Sequence, residues 1–467
     1  MSDRITAEDA ARSIISEATS SAAKEYNIST QKTAEEIYLN EPTHRNAAEI
    51  LFNIWRGHVI FERETGIYYE RMPSGVYDTI DDILTRASRI IDAATIRAFN
   101  RASEDAHAQI LQQMYKKAGD ARKRAQTKDF IQSTLSFFAE SVRVQDLPSL
   151  WNTTPECMPT QTGILDFSGD EITSRKPEEY EFFKDPLPVE AGWIINATFP
   201  VAFLLALHDI FPNPEIRRTG IEAISQAIAN RGTRTFLVFH GEAGANGKNT
   251  LLDILRITLP GRVGMISASS ITRGQDGGAK RFAAAELEGK TFAAVDEVTG
   301  AFDIAEVKRL TGGSTIAIER KGQNPYEIPQ TWTLAALTNR LPTFQPATDS
   351  AFLQRLIIVP FETVFYFDPI QKEEYLRLGV EEHRLKAASD KEALLKQIEL
   401  ERPAIIRYLV QAYQAVRRAG GRPYECGISL QLKQAYQSQN DIIAQFFLEH
   451  FQRNPAGRVD YSRLMDL

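Results

Sequence analysis

The most informative part of the sequence is "FLVFHGEAGANGKNTLLDIL", residues 236–255. An apolar run is followed by glycines at 241, 244 and 247, then by Lys248 and a run with helical spacing. Such loops bind phosphate because a backbone without Cβ atoms can turn several N–H groups toward one anion at the positive end of a helix. The usual pattern is G-x-x-x-x-G-K-[S/T], whereas here Glu242 takes the place of the first glycine and Asn249 follows the lysine. The context predicts a nucleotide site; a plain glycine turn is the alternative.

Lys248 is the side chain expected to reach the β- and γ-phosphates. Asn249 has no hydroxyl for Mg²⁺, so either its amide oxygen or the hydroxyl of Thr250 is expected to serve as a metal ligand. The predicted nucleotide-binding residues are Gly241, Gly244, Ala245, Asn246, Gly247, Lys248, Asn249 and Thr250.

Composition excludes several classes of protein. The chain has 467 residues, 43% hydrophobic and 25% charged, as in ordinary globular proteins of two or three domains. Its formal charge of −7 argues against a uniformly basic nucleic-acid binder but leaves room for a basic channel. Cys157 and Cys426 form no metal-binding or disulfide pattern. The apolar run at 199–211 is short and broken by His208 and Asp209, so no membrane span is expected, and we expect a cytoplasmic protein.

Changes in residue composition and hydrophobic periodicity along the chain predict four segments. The first, 1–145, is mostly helical, with a β-ribbon near 57–77 and a possible role in ring formation or DNA binding. A linker and helical collar (146–232) precede an ATPase core (233–377). A helical segment, 378–467, ends the chain.

Four short apolar runs within the core predict a parallel sheet covered on both faces, because helical or polar stretches separate them. They lie at 236–239, 291–295, 333–337 and 356–361. The predicted fold class is therefore an α/β P-loop domain with a central parallel sheet, between two mostly helical regions.

Polar residues follow two of these runs and precede a third. Asp296 and Glu297 end the second run, where adjacent carboxylates are costly unless they hold a cation or do acid–base work. Asp296 is the predicted Mg²⁺ ligand, and Glu297 is predicted to polarise the attacking water. Asn339 ends the third run and could orient that water, although it could also be a simple turn former. Arg355 precedes the fourth and could reach the γ-phosphate in a neighbouring subunit, or be an ordinary surface arginine.

Between the second and third runs, "STIAIER" (314–320) and "NPYEIP" (324–329) predict two strands with "KGQ" (321–323) at their tip. A basic hairpin tip in an ATPase core is suited to gripping a phosphate backbone. A solvent-exposed hairpin without such a role is the alternative.

Taken together, residues 236–361 resemble the superfamily 3 helicases, most closely the helicase part of phage-, plasmid- and poxvirus-type primase-helicases. The resemblance rests on the order of five motifs: "GANGKNT" (244–250), Val295–Glu297, "KRLTGG" (308–313), "TNRLP" (338–342) and "QRLIIVPF" (354–361). The family carries Ser where Asn249 stands and Arg where Gln354 stands. Its loop is also one residue shorter.

This resemblance implies an ATP- and Mg²⁺-dependent DNA helicase of the AAA+ type, from a phage, plasmid or other mobile element, that forms a hexameric ring or a double ring with ATP at the subunit interfaces. It also implies that the protein acts in a prokaryotic host cell or at a viral replication site. Single-stranded DNA would pass through a central channel, contacted by Lys308, Arg320 and Lys321, and a primase or polymerase is a possible partner. Two alternatives stay open. One is a helicase-primase, for which residues before the core offer only Asp81–Asp82. The other is an initiator or scaffold in which ATP acts as a switch with little turnover.

Overall fold

A computed structural model describes residues 33–104, 106, 108–144, 147–274, 277–313, 315–320, 325–441 and 446. These residues form two compact units. The first comprises the described residues of Met1–Asn196 and Lys321–Ile328, and the second those of Ala197–Arg320 and Pro329–Leu467. The two units are defined by contacts within the chain, so the four segments predicted from the sequence stay predictions.

The first unit begins with helices around a three-stranded antiparallel sheet, and its buried core includes Tyr38, Leu51 and Phe138. Gly66, at φ +74°, makes the turn between the first two strands, which confirms the predicted β-ribbon. The elements are α1 (Ala34–Asn40), α2 (His44–Trp55), β1 (Val59–Glu62), β2 (Ile67–Arg71), β3 (Tyr77–Thr79), α3 (Ile83–Ser103), α4 (Ala108–Ala125), α5 (Lys128–Val142) and α6 (Leu147–Leu150).

A second antiparallel sheet follows, within the segment that the sequence predicted to be a linker and helical collar (146–232). Its strands are β4 (Cys157–Thr160), β5 (Gly163–Asp166) and β6 (Thr173–Arg175), and helix α7 (Ala191–Ile195) ends the unit. These strands have only three or four residues each, and Pro159 lies inside one of them. Strands this short show almost no alternation of apolar and polar residues. The prolines and polar residues around them favoured a linker, so these strands were not predicted.

The second unit contains a five-stranded parallel sheet between helices, which confirms the predicted α/β domain. Its first part comprises α8 (Val201–Ile210), α9 (Pro214–Ser225), β7 (Phe236–His240), α10 (Lys248–Thr258), β8 (Val263–Ile266), α11 (Gly277–Ala285), β9 (Phe292–Val295), α12 (Ile304–Leu310) and β10 (Thr315–Ile318). The next elements are β11 (Tyr326–Pro329, of which all but Pro329 is grouped with the first unit), β12 (Thr333–Thr338), α13 (Ser350–Arg355), β13 (Leu356–Pro360), β14 (Val364–Tyr366), α14 (Pro369–Arg377), β15 (Leu385–Ala387), α15 (Lys391–Leu400), α16 (Arg402–Arg418) and α17 (Gly427–Asn440).

The sheet order is β13–β7–β12–β9–β8, and all four predicted strands are among these five. Ala335, in the central strand, pairs with Leu237 on one side and Ala294 on the other. Every residue of β9, β12 and β13 is buried, as expected for a parallel sheet covered on both faces. Strand β8, "VGMI", was not predicted, since Gly264 interrupts a run of only four residues.

This order places the loop after β7 at a switch point of the sheet. The chain leaves β7, crosses to β8 at the far edge and returns through β9 to β12 beside β7, whereas β13 lies on the other side of β7. In open parallel sheets, ligands bind beyond the carboxyl ends of the strands at such a point. The loops after β7, β9 and β12 therefore share one edge of the sheet.

Among the described residues, no helix is long and apolar enough to cross a bilayer, in agreement with the sequence.

Candidate functional site

The loop between β7 and α10 is held by its own side chains and by its neighbours. Asn246, which is buried, donates from Nδ2 to the carbonyl oxygens of Gly241 at 3.2 Å and Ala243 at 2.6 Å. The Phe365 N–H donates to Ala245 O at 2.8 Å. Gly247 ends the loop at φ +88°, a conformation that favours glycine, and helix α10 begins at the next residue. The first N–H groups of an eleven-residue helix thus face the loop.

Lys248 is the first residue of that helix, and only 8% of it is exposed. Its Nζ donates to Asn339 Oδ1 at 2.6 Å and to Gly241 O at 3.3 Å. Burial lowers its pKa from the ordinary value to about 8, and the nearby charge of Asp296 opposes that shift only in part. The lysine predicted to contact phosphate is therefore a desolvated cation between the loop and the end of β12.

The two acids stand beyond the end of β9, on the same edge as the loop. Asp296 is half-buried, and Glu297 is exposed at φ +50°, a strained conformation for a residue with a side chain. The Glu297 N–H donates to Asp296 Oδ1 at 2.9 Å. Next to them, Thr338 Oγ1 donates to Val298 O at 3.1 Å, which ties the end of β12 to the segment after β9.

A pocket of about 370 Å³ joins these groups. That volume lies within the range of small-molecule sites. One half is polar and is lined by Lys248, Asn249, Thr250, Asp296, Glu297 and Asn339. All the predicted loop residues line the pocket except Gly241, whose backbone oxygen accepts from Lys248 instead.

The donor chemistry of this half fits Mg²⁺. Asp296, Thr250 and Asn249 line one cavity, and their side chains carry a carboxylate, a hydroxyl and an amide oxygen. The described residues contain no cluster of three His, Cys, Asp or Glu side chains that could hold a metal by themselves. Mg²⁺ needs no such cluster, because it commonly uses one or two protein ligands with water and the phosphates of a substrate.

Of the three residues predicted to be catalytic, Glu297 and Asn339 line the pocket and Arg355 does not. Its Nη1 donates to Ala351 O at 2.8 Å, while its Nε is buried and has no hydrogen-bond partner among the described residues. Burial, followed by the charge of Arg234, lowers its pKa. The prediction placed its action in a neighbouring subunit, so it stays a prediction.

Two of the three predicted DNA-binding residues, Lys308 and Arg320, do not line the pocket. Lys308 Nζ is paired with Asp349 Oδ2 at 2.5 Å, and the same carboxylate caps helix α13 by accepting from the Phe352 N–H at 2.8 Å. Arg320, about half exposed, is paired with Glu288 at 2.8 Å. Both strands predicted around the hairpin tip are present as β10 and β11, while Lys321 lies outside the described residues.

The other half of the pocket was not predicted. It is apolar and is lined by Ala206, Ile210, Phe365, Phe367, Ala388 and Leu394, with Asp209, Ser389 and Lys391 among them. These residues come from α8, from the ends of β14 and β15, and from α15. The one available signal was Asp209, a charge inside an otherwise apolar run.

Comparison with known proteins yields limited matches. Residues 239–355 match a protein family described as a family of unknown function, DUF5906. No curated protein matches the chain.

Among solved structures, the A form apo structure of the NrS-1 C-terminal region is 12% identical, with a TM-score of 0.47, and the match covers 87% of this chain and 80% of that chain. An apo structure of the same region is also 12% identical at a TM-score of 0.47, covering 86% of this chain and 76% of that chain. Likeness at this level carries no functional information, so the assignment depends on the residues of the site.

Proposed function

We propose that this protein is an ATP-dependent DNA helicase of a phage, plasmid or other mobile element, built on a P-loop ATPase domain of the AAA+ type. The observation that carries the proposal is one pocket into which three loops bring Lys248, the Asp296–Glu297 pair and Asn339. A cation, a metal-binding carboxylate, a second carboxylate and an amide at the ends of adjacent parallel strands are the groups that phosphoryl transfer to water requires.

Each residue has a distinct part in that reaction. Lys248 binds the β- and γ-phosphates, which take the place of Asn339 Oδ1 as its hydrogen-bond acceptor. Glu297, the exposed member of the pair, accepts a proton from the attacking water, and Asn339 positions that water. Asp296 and Thr250 hold Mg²⁺, which supplies charge neutralisation on the phosphate oxygens when bound.

The DNA-binding part of the proposal rests on the resemblance of residues 236–361 to superfamily 3 helicases. In that arrangement several copies form a ring, and basic side chains including Arg320 and Lys321 face a central channel. Single-stranded DNA in the channel would accelerate ATP hydrolysis, since the strand and the nucleotide act on the same domain.

The structure offers one observation against the helicase-primase alternative. Asp82, half of the acidic pair considered for a primase site, accepts a hydrogen bond from the Thr85 N–H at 3.1 Å and caps helix α3. Its carboxylate therefore has a structural role at a helix terminus.

The decisive experiment measures ATP hydrolysis by the full chain with Mg²⁺, with and without single-stranded DNA. We expect hydrolysis that DNA stimulates, and its loss by about a hundredfold or more in Lys248→Ala and Glu297→Gln. The matched control is Glu242→Gln, because Glu242 is an exposed carboxylate of the same loop that does not line the pocket.

Lys248→Ala should also lose ATP binding, whereas Glu297→Gln should keep it. ATP binding without hydrolysis in the unmodified protein would overturn the motor and favour the ATP-switched scaffold. Hydrolysis that neither variant affects would exclude this pocket as the site.

A further inference from the structure

The apolar half of the pocket lies immediately behind the phosphate loop. A Cβ atom at Gly247 would approach Ile210 Cγ1 to 2.8 Å and the Phe365 ring to 3.3 Å, so the loop packs directly against these two side chains. A nucleotide whose phosphates contact Lys248 can therefore extend its base over Ile210 and Phe365. Apolar and aromatic surfaces suit the faces of any base and do not by themselves distinguish one base from another.

Asp209 is the one carboxylate in this half of the pocket. It lies in the last turn of α8, next to Ile210, and its side chain is about one-third exposed. Its Oδ1 accepts a hydrogen bond from Lys386 Nζ, in the strand β15 that pairs with β14. No hydrogen bond to its Oδ2 occurs among the described residues, so one acceptor oxygen remains for a ligand.

Ser389 and Lys391 are less suited than Asp209 to distinguish one base from another. A hydroxyl both donates and accepts, so Ser389 can satisfy an amine or a carbonyl. Lys391 Nζ is committed to Asp253 Oδ2 of helix α10 at 2.7 Å. The group with a fixed hydrogen-bonding sense is therefore Asp209, which can only accept while ionised.

We propose that Asp209 selects adenine, its Oδ2 accepting a hydrogen bond from the exocyclic amine of the base. This inference rests on the proposed function, because the phosphates must lie at Lys248 for the base to reach α8. Hypoxanthine and guanine carry a carbonyl oxygen where adenine carries that amine. In the same pose they would bring an acceptor to a carboxylate, an arrangement that leaves both oxygens unpaired and repelling.

The test compares the equilibrium binding of ATP, inosine triphosphate and GTP, with inorganic tripolyphosphate as a probe of the phosphate half alone. The full chain is titrated by calorimetry in the presence of Mg²⁺. We expect ATP to bind about tenfold more tightly than inosine triphosphate, the loss expected for one hydrogen bond to a charged group. Asp209→Ala should bring the two to within about twofold, mainly by weakening ATP, and should leave tripolyphosphate binding unchanged.

Lys386→Met is the matched control, since it removes the same ion pair but keeps the carboxylate. It should retain the preference for ATP. If the ion pair had only a structural role, Lys386→Met would lose the preference as Asp209→Ala does. Equal binding of ATP and inosine triphosphate by the unmodified protein, or a preference that survives Asp209→Ala, would overturn this inference alone. Absence of binding by every nucleotide, or binding that Lys248→Ala does not weaken, would overturn the proposed function instead.

Discussion

Lys248 is buried before any phosphate reaches it, and its ammonium group has lost most of its hydration. The contacts with Asn339 and Gly241 replace that hydration only in part, because both partners are neutral oxygens. Burial therefore lowers the pKa of this lysine to about 8. A triphosphate would supply the missing negative charge and restore the protonated form.

Nucleotide binding should consequently depend on pH. Above pH 8 the free protein loses the Lys248 proton, so ATP binding should weaken by up to about tenfold per pH unit as the pH rises toward the ordinary lysine value. The measurement is the dissociation constant of ATP from pH 7 to 10. Lys248→Arg is the control, since an arginine stays protonated and its affinity should be flat over this range.

The free energy of unfolding provides an independent measurement over the same pH range, because it should change with pH in the opposite direction to ATP binding. The unfolded chain keeps the Lys248 proton up to its ordinary pKa while the folded chain has lost it. The contribution of this group to the free energy of unfolding therefore rises with pH above about 8. An equal decline in ATP binding by Lys248→Arg would show that another group is responsible.

The loop between β7 and α10 depends on two glycines in different ways. Gly241 lies where the backbone meets other atoms: a Cβ there would be 2.2 Å from Asn246 Nδ2 and 2.8 Å from Phe361 O. Gly244 has no atom within 4 Å of such a Cβ, and its φ is not in the left-handed region. The exposed part of the loop around Gly244 therefore has room for the extra residue between Gly241 and Gly247.

We expect Gly241→Ala to lower the free energy of unfolding by about 1–3 kcal/mol, because Asn246 or strand β13 must move. Gly244→Ala should change it by no more than about 0.5 kcal/mol. Chemical denaturation of both variants beside the unmodified protein measures the difference. If the two substitutions cost the same, the loop does not have the packing described.

Arg355 is the proposed catalytic residue that this single chain leaves outside its own pocket. Its buried Nε has no partner among the described residues, and a buried unpaired guanidinium nitrogen is costly. In the proposed ring, the half-buried side chain turns outward, and the guanidinium gains a partner in the phosphates bound by an adjacent subunit. Repeating head-to-tail contacts close into such rings.

Mixing two inactive variants tests this arrangement. Arg355→Ala should lose ATP hydrolysis but keep ATP binding, and Lys248→Ala should lose both. In a mixed ring, about a quarter of the interfaces would join an intact loop to an intact arginine, so hydrolysis should partly recover. The readout is ATP turnover by an equimolar mixture assembled from unfolded or dissociated chains.

The control mixture contains Lys248→Ala and Glu297→Gln, whose defects lie in the same pocket and cannot complement each other. It should remain inactive. If the Arg355→Ala mixture also stays inactive while its chains assemble, Arg355 does not act across an interface.

Several parts of the fold were accessible from the sequence because their signals are local. A buried parallel strand needs a continuous apolar run, and "TLAAL" and "LIIVPF" are runs of strand length with polar residues at both ends. The β4–β6 sheet and β8 were missed because runs of three or four residues, broken by proline or glycine, carry too little periodicity.

The parallel sheet, the glycine-rich loop after β7 and the carboxylates beyond β9 could be predicted from the sequence, since each depends on neighbouring residues and backbone geometry. The packing of the folded chain was needed to show where the loops meet, that Asn339 accepts the hydrogen bond of Lys248, and that Arg355 lies outside the pocket. The same packing forms the apolar half of the pocket. Asp209, Phe365 and Leu394 are far apart in the chain, and only the packing of α8, β14 and α15 around Gly247 brings them into one cavity.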